Sequence, residues 1–487
     1  MDSLIKFFQK YRYIYIYGTG DYATYTANKC KELKLNVAGY IISDGQIKQE
    51  RFFLKKVYFV SEIDFSDEIG VVVALSEKFQ PEVINILRKN NCNHYITITK
   101  SLYEDVSKSL VIMSFSSRLH ILEKWKNEGY KIAVHICEQN SDSRSTYRYR
   151  AYNFYQNLNK LSFKWKSIYF FVEELVLLDN VLQYINLVVL CRLKWTFDID
   201  KFINKCRKNG KKIAYDIDDL IYDIKYVPLN MKGAGYICSE EEYIERFSTV
   251  SRYQLLSHFA DAFITTNAYL SHKIEDDTNK KAYIVHNFIN DEQLMISSKC
   301  QRNKDEWFKI GYFSGTGTHN KDFLIVAPCL LELMNKYNDI KLEITGSLKV
   351  PNYMYSLLNN DRIVVHPLTD YVSLQKNIAG VDLNIVPLQD TEFTNCKSEL
   401  KFFEASIVNV VTCASKVFAY TSCIDDNKTG FLCDDDNWNE KIEYIYKNRD
   451  RMFNIIKNAK EYCLSKYYGR KITDEINKTF DDIYYNR

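Results

Sequence analysis

Short apolar runs alternate along this chain with longer amphipathic stretches, a pattern that predicts strands alternating with helices and hence parallel sheets. In the first hundred residues the runs are Tyr13 to Tyr17, Val37 to Ile42, Val71 to Ala74 and Tyr95 to Ile98. Helices are predicted from Ala23 to about Leu33 and from Glu82 to Asn90. A helical connector, Leu110 to about Glu128, leads to a second series: Ile132 to Ile136, Ser167 to Phe171, Leu187 to Leu190, Lys212 to Tyr215, Ala262 to Thr265 and Ala282 to Val285. A third series runs Lys309 to Phe313, Lys341 to Thr345, Ile363 to Val365, Asp382 to Pro387, Val410 to Thr412 and Gly430 to Leu432. The tail from Trp438 to Tyr485 reads as helix. The fold class is therefore α/β: a small Rossmann-like unit at residues 1–105, then two doubly wound units in tandem. The natural site of such a tandem is the cleft outside the strand C-terminal ends.

Composition narrows the function classes. At 487 residues the chain exceeds a single core, so several domains are expected. A net charge of +3 offers no basic face or stripe for nucleic acid. Thirteen cysteines include no C-x-x-C pair and no zinc spacing, which predicts reduced thiols and no metal site. The start, Met1 to Lys6, lacks a leader-like apolar run, and no stretch of about 18 apolar residues follows. The expected location is cytoplasmic, with peripheral attachment to the inner face of a membrane compatible with it.

Four stretches carry candidate chemistry. Gly18-x-Gly20-x-x-Ala23 lies between strand and helix, and Asp44 ends the next strand, as in a dinucleotide fingerprint. The glycines would let a pyrophosphate approach and Asp44 would take ribose hydroxyls; a structural or regulatory role for this unit is the competing reading. Ser314, Gly315, Thr316, Thr318, His319 and Lys321 follow the first strand of the third unit and open a helix, the setting of a phosphate loop without a Walker motif. The segment Asn395 to Ser406 reads as a helix opening at a strand end. It puts the cations Lys397 and Lys401 near an anion-favouring N-terminus, and Glu404 one turn in, where it can accept ribose hydroxyls. Arg144, Arg148 and Arg150 follow the first strand of the second unit, where they could meet phosphate. Against each of the last three stands an ordinary alternative: a polar loop, an amphipathic helix, a solvated helix start.

Several of these segments together resemble one family. Gly311 to Phe323, Lys397 to Ala405, Lys212 to Leu220 after Val189 to Arg192, Asp261 to Asn267, and Val285 to Asn287 are similar, in this order, to bacterial family 4 glycosyltransferases of the GT-B fold. The similarity is to a branch associated with rhamnan, O-antigen lipopolysaccharide and surface polysaccharide synthesis, and covers about residues 130–465. It implies an acceptor-side domain at 106–305, a donor-nucleotide domain at 306–465 and a closing helix at 466–487 packed back on the acceptor side.

The resemblance also implies roles. Lys321 and Lys397 would contact the donor diphosphate, with Ser314, Gly315, Thr316, Thr318, His319 and Ser398 around it. Glu404 occupies the second acid of the family's E-x7-E motif and would hold the ribose. Asp218 sits where many relatives carry a histidine in the cleft, and Asp219, Arg144 and Arg148 would face the acceptor. Two departures stand out: the first acid of the motif falls on Cys396, and the arginine of the usual first-loop pair falls near Thr316. Asp216-x-Asp218 could hold a magnesium ion in the other glycosyltransferase fold, but the sheet organisation disfavours it. The implied activity is a hexosyltransferase-like transfer from a nucleotide sugar to a polysaccharide or lipid-linked glycan, with retention and without a cofactor or metal. Two competitors remain. One is a catalytically weak sugar-nucleotide-binding sensor or complex partner. The other is a nicotinamide-dependent sugar oxidoreductase run by the first unit.

Overall fold

Strands that are apolar on both faces are stable only where helices cover both sides of a sheet. β5 (Ile69–Val73), β9 (Leu187–Cys191), β16 (Leu383–Val386) and β17 (Val411–Ser415) are buried at every position. The remaining strands are β1 (Tyr13–Tyr17), β2 (Gly39–Ile42), β3 (Arg51–Phe52), β4 (Lys55–Phe59), β6 (Tyr95–Thr97), β7 (Lys131–Cys137), β8 (Trp165–Phe171), β10 (Lys212–Asp216), β11 (Ala262–Thr265), β12 (Ala282–Ile284), β13 (Phe308–Ser314), β14 (Ile340–Gly346), β15 (Ile363–His366) and β18 (Phe431–Cys433). This computed structural model describes the chain except at residues 1, 34, 47–50, 53–54, 100–101, 103–114, 139–143, 233–237, 301–305, 316–318, 367–370 and 486–487. The chain divides into two units, Met1–Ser117 and Arg118–Arg487.

The first unit holds one sheet in the order β3-β4-β2-β1-β5-β6, parallel except for β3 against β4. Side-chain alternation builds a core on each face. Ile14, Ile16, Tyr40, Ile42 and Val72 lie on one, and Tyr17, Ile41, Val71 and Val73 on the other. β3, β4 and the opening helix Asp2–Lys10 were not expected from the sequence. β4 begins with two exposed lysines and buries Val57 among half-exposed neighbours, so its pattern is an edge rather than an apolar run.

The second unit holds two all-parallel sheets, β12-β11-β10-β9-β7-β8 and β15-β14-β13-β16-β17-β18. Strand order reverses between β7 and β9 in its first half, and between β13 and β16 in its second. The helix Phe453–Tyr467 stacks Tyr462 and Tyr467 on Phe402 and Phe403 of the helix Leu400–Ile407. The last helix, Arg470–Tyr485, then returns to the first half. There Asp481 accepts from Trp165 Nε1 (3.0 Å), and Phe480 packs on Trp165 and Phe154. Of the expected connector, Phe115–Asn127 is helical, and its start near Leu110 lies outside the described residues.

One side chain fixes the top of the first half. Arg150 is fully buried, with Nε and Nη2 donating to Asp216 Oδ1 (2.8 Å) and Oδ2 (2.9 Å). Its Nη1 donates to the carbonyl of Val285 (2.8 Å) and to Asn287 Oδ1 (3.2 Å). His135 on β7 meets the Arg150 carbonyl at 2.8 Å. This corrects the expectation that Arg150 faces the cleft to meet phosphate: its donors are spent inside the fold. Both oxygens of Asp216 are likewise taken, which argues against a magnesium ligand there. Arg150→Met leaves a buried carboxylate unpaired and is expected to cost about 3–5 kcal/mol of stability. Urea denaturation checks this, with Arg150→Met/Asp216→Leu recovering most of the loss. Additive losses in the double variant would refute the coupling.

Candidate active site

The helix Leu400–Ile407 follows β16, but it opens five residues later than expected. A short helix, Glu392–Asn395, comes first, and the segment 396–399 breaks between the two. The break has visible causes. Asn395 Oδ1 accepts the Phe418 N–H (2.7 Å), and the carbonyls of Asn395 and Lys397 accept from Asn267 Nδ2 of the first half (3.1 and 2.8 Å). Ser398 Oγ accepts from Asn287 Nδ2 at 3.1 Å. Asn267 also caps the helix Ala268–Thr278, so its Oδ1 and Nδ2 do separate work.

This strap brings candidate residues together across the halves. Lys397 Nζ donates to both carboxylate oxygens of Asp219, at 3.0 and 2.9 Å. The pair is mostly shielded, at 22% and 14% side-chain exposure, so it is worth more than a surface ion pair. Arg192, at positive φ past the end of β9, donates to Asp218 Oδ1 (3.1 Å) and lies 3.9 Å from Asp219. Burial alone would raise the Asp219 carboxyl, but Lys397 and Arg192 hold it below its ordinary value. Glu404 Oε1 accepts from the Tyr149 hydroxyl of the first half at 2.7 Å. Burial pushes the Glu404 carboxyl up to about 7, against the pull of Tyr149, Arg148 and Lys401.

The loop after β13 supplies the other wall. Ser314 is buried, Gly315 is exposed with open space where a Cβ would stand, and Thr316 and Thr318 lie outside the described residues. His319 Nδ1 meets Asp322 Oδ2 at 2.7 Å, and Asp322 Oδ1 accepts the Gln389 N–H at 2.9 Å, tying this loop to the one after β16. Burial lowers the His319 pKa, opposed by Asp322 and assisted by Lys401 and Lys397. Lys321 stands in the first turn of the helix Asn320–Lys336, partly buried and with no partner among the described residues. The Lys401 ammonium also makes no hydrogen bond or ion pair among them; it lies 5.5 Å from the Tyr312 ring centre.

The side chain of Arg144 is outside the described residues, and Arg148 Nη2 is 4.0 Å from Glu292. Cys396 is fully buried, and burial pushes its thiol well up. In the first unit Gly18 has φ +114°, and a Cβ there would meet the Ala74 carbonyl at 2.9 Å, so glycine is required at the end of β1. Its N–H is held by Ile41 O (2.8 Å), Gly20 borders open space, and exposed Asp44 accepts from Ser61 Oγ (2.6 Å). Between the halves of the second unit a cavity of about 780 Å³ is lined by Lys225, Tyr226, Lys273, Asp277, Asp390 and Glu392. Four of these charges pair internally, Lys225 with Asp277 (2.6 Å) and Lys273 with Glu392 (2.9 Å), and Asp390 accepts from Asn395 Nδ2 (2.7 Å).

The positioning residues Tyr149, Arg192, Asn267 and Asn287 carried no assigned role in the sequence. Asn267 and Asn287, just past their strand ends, offered a capping signal. Tyr149, one of 38 tyrosines, offered none.

No protein-family model matches the chain, and no curated protein matches it. Among solved structures, a glycosyltransferase from Rickettsia africae aligns with a TM-score of 0.51 at 10% identity, covering 74% of this chain and all of that one. HepE from Anabaena, solved in complex with UDP, gives 0.49 at 10% identity over 72% of this chain and all of its own. Sucrose-phosphate synthase from Thermosynechococcus elongatus gives 0.48 at 11% identity, over 73% of this chain and 99% of that chain. The fold is that of the GT-B glycosyltransferases. Among the described residues no helix is long and apolar enough to cross a membrane.

Because the folded Glu404 pKa lies above its ordinary value, its contribution to stability is full below the ordinary carboxylate range and is lost as pH rises through about 7. Glu404→Gln keeps an acceptor for Tyr149 and cannot ionise. Its stability relative to the parent is expected to rise by about 2 kcal/mol from about pH 5 to about pH 8. Urea midpoints across that range check this; parallel pH profiles would refute it.

Proposed function

We propose that the chain is a glycosyltransferase that moves a sugar from a nucleotide-sugar donor to a polysaccharide or glycolipid acceptor. The observation that carries this reading is the convergence at the β13/β16 switch point. The strap residue Lys397, the buried carboxyl of Glu404 and His319 lie about two helix starts there beside the seam between the halves, and Lys321 stands in the first turn of one of those helices. A nucleotide diphosphate suits two helix N-termini and adjacent cations, and a ribose suits a carboxyl one turn in.

The chemistry would be electrostatic. Lys321 and Lys397 stabilise the charge that develops on the departing diphosphate, and Ser314, Gly315, His319 and Ser398 border it. Glu404 exchanges its Tyr149 bond for ribose hydroxyls. Asp218, held by Arg192, and Asp219, released when Lys397 turns to phosphate, face the acceptor with Arg148. The reaction is read as retaining and metal-independent, with residues 106–305 on the acceptor side and 306–465 on the donor side. A lipid-linked acceptor would bring the protein to a membrane surface. The first unit, with Gly18, Gly20 and Asp44, is read as regulatory or as a second nucleotide site.

A second reading has its own observation. Lys397 is already neutralised by Asp219, and the position of the usual first acid is a buried cysteine. A sugar-nucleotide-binding sensor or complex partner would tolerate both. Transfer to an acceptor, or hydrolysis of a donor, supports the enzyme; binding without turnover supports the sensor.

Lys321→Ala and Lys397→Ala are each expected to weaken binding of UDP, GDP or dTDP by roughly tenfold to a hundredfold, the worth of a charge-assisted hydrogen bond. Calorimetric titration reads this out, and parent-like affinity in both variants would remove the site assignment. Transfer is expected to persist in a chelator; loss that magnesium or manganese restores would reverse the metal-independent reading.

A further inference from the structure

Three cations and two acids gather where β9 and β10 end at the seam. Arg192 donates to Asp218 and stands 3.9 Å from Asp219, and Lys397 holds both oxygens of Asp219. The third cation, Arg246, has no part in the site as described above. It lies on the helix Glu240–His258. That helix is fastened to the segment after β9: Arg252 Nε donates to the Trp195 carbonyl (2.9 Å), and the Trp195 N–H donates to the Arg252 carbonyl (3.1 Å). Tyr253, two turns beyond Arg246 on the same face, is buried beside Arg192. The Arg246 Nε is buried without a hydrogen-bond partner, and its guanidinium makes no hydrogen bond or ion pair among the described residues. Glu242, one turn before it, is used at the Ser239 cap (2.7 Å). Asp219 is the acid that acts on the Arg246 charge: burial and Arg192 pull the Arg246 pKa down, and Asp219 opposes them. Yet Asp219 gives its oxygens to Lys397 and to the Leu220 N–H (3.0 Å). A guanidinium with a bare buried donor thus stands beside an acid that another cation holds. We propose that Arg246 is a positioning residue that takes over Asp219 when Lys397 turns to the donor diphosphate. This rests on the donor-site reading above and adds to it the group that lets Lys397 go.

Charge counting gives the reason. In the free protein Arg192, Arg246 and Lys397 face Asp218 and Asp219, while Glu138 nearby has Lys194 at 3.9 Å. When a diphosphate engages Lys397, both acids remain in shielded surroundings and one cation has left them. Arg192 reaches Asp218 with Nη1 and stands 3.9 Å from Asp219, too far for a hydrogen bond. An Asp219 left unpartnered there is costly, and that cost would be subtracted from donor affinity. Arg246 removes it, because a guanidinium stays charged at any working pH and meets both oxygens of a carboxylate at once. The two acids then have two arginines. An arginine that only fills space on its helix would leave donor affinity unchanged when replaced.

The test is a double-mutant cycle read by calorimetric titration with whichever of UDP, GDP and dTDP the parent binds. It is run at about 0.3 M salt, so that charges acting at a distance are screened. Parent, Arg246→Gln, Asp219→Asn and the double variant are compared. Free Arg246→Gln is expected to melt like the parent, since it removes no hydrogen bond of the resting fold, and to bind the nucleotide about tenfold more weakly. Asp219→Asn has no charge to hand over, so the double variant is expected to bind within about twofold of Asp219→Asn alone. Parent-like affinity in Arg246→Gln would overturn the inference. So would a lowered melting temperature of the free variant, which would make Arg246 a strut of the resting fold. An equal loss of affinity in the Asp219→Asn background would overturn it too, by showing that Arg246 meets the nucleotide itself. If the parent binds none of the three nucleotides, the donor-site reading fails and this inference with it.

Discussion

The seam of the second unit depends on one buried guanidinium. Arg150 reaches Asp216 at the end of β10, and Val285 and Asn287 just past β12, while its carbonyl meets His135 on β7. Three strand ends are thereby fixed relative to one another. Asp218 and Asp219 emerge directly after Asp216, and Asn287 turns its amide toward Ser398. An isolated charge at such a position would be prohibitive, and even a paired one gains little net stability over well-packed apolar groups. Its value is geometric: few arrangements satisfy the guanidinium, and they place the acids of the cleft.

From that frame the two halves meet at the site through polar groups as well as ring contacts, Tyr149 with Phe403 and Tyr269 with Phe418. Lys397 with Asp219, Tyr149 with Glu404, and Asn267 with two carbonyls of the strap all cross the seam. Each satisfies a shielded polar group that would otherwise be costly to leave bare. Each is also replaceable by a ligand carrying the matching chemistry, a diphosphate for the acid facing Lys397 or a hydroxyl for Tyr149. On the proposed function, a donor would exchange partners here rather than fill a vacancy, which would moderate affinity and couple binding to the contact between halves.

The first unit follows a similar local logic on a smaller scale. Gly18 is required by backbone conformation and by the Ala74 carbonyl, whereas Gly20 borders open space. The first glycine is thus accounted for by the sheet itself. The second, with exposed Asp44, is the part of the pattern that the fold alone does not explain.

Much of the architecture was written in local pattern. Apolar runs such as Leu187–Cys191 and Val411–Ser415 suit strands covered on both faces, so the alternation of strand and helix carried the three α/β series, the last two as a doubly wound tandem. Edge elements such as β3 and β4 were missed because a strand half-open to water lacks that signature. At the site, residue chemistry marked Lys321, Lys397, Glu404, Asp218 and Asp219. The sequence could not show that Lys397 and Asp219, 178 positions apart, neutralise each other, or that Arg150 is an interior strut rather than a phosphate ligand. Hydrophobic periodicity is a short-range property that each segment carries alone. The partner of a charge is decided only when strand ends distant in sequence are brought to the same edge of a sheet, and there the tertiary structure chose which acid each of Arg150 and Lys397 meets.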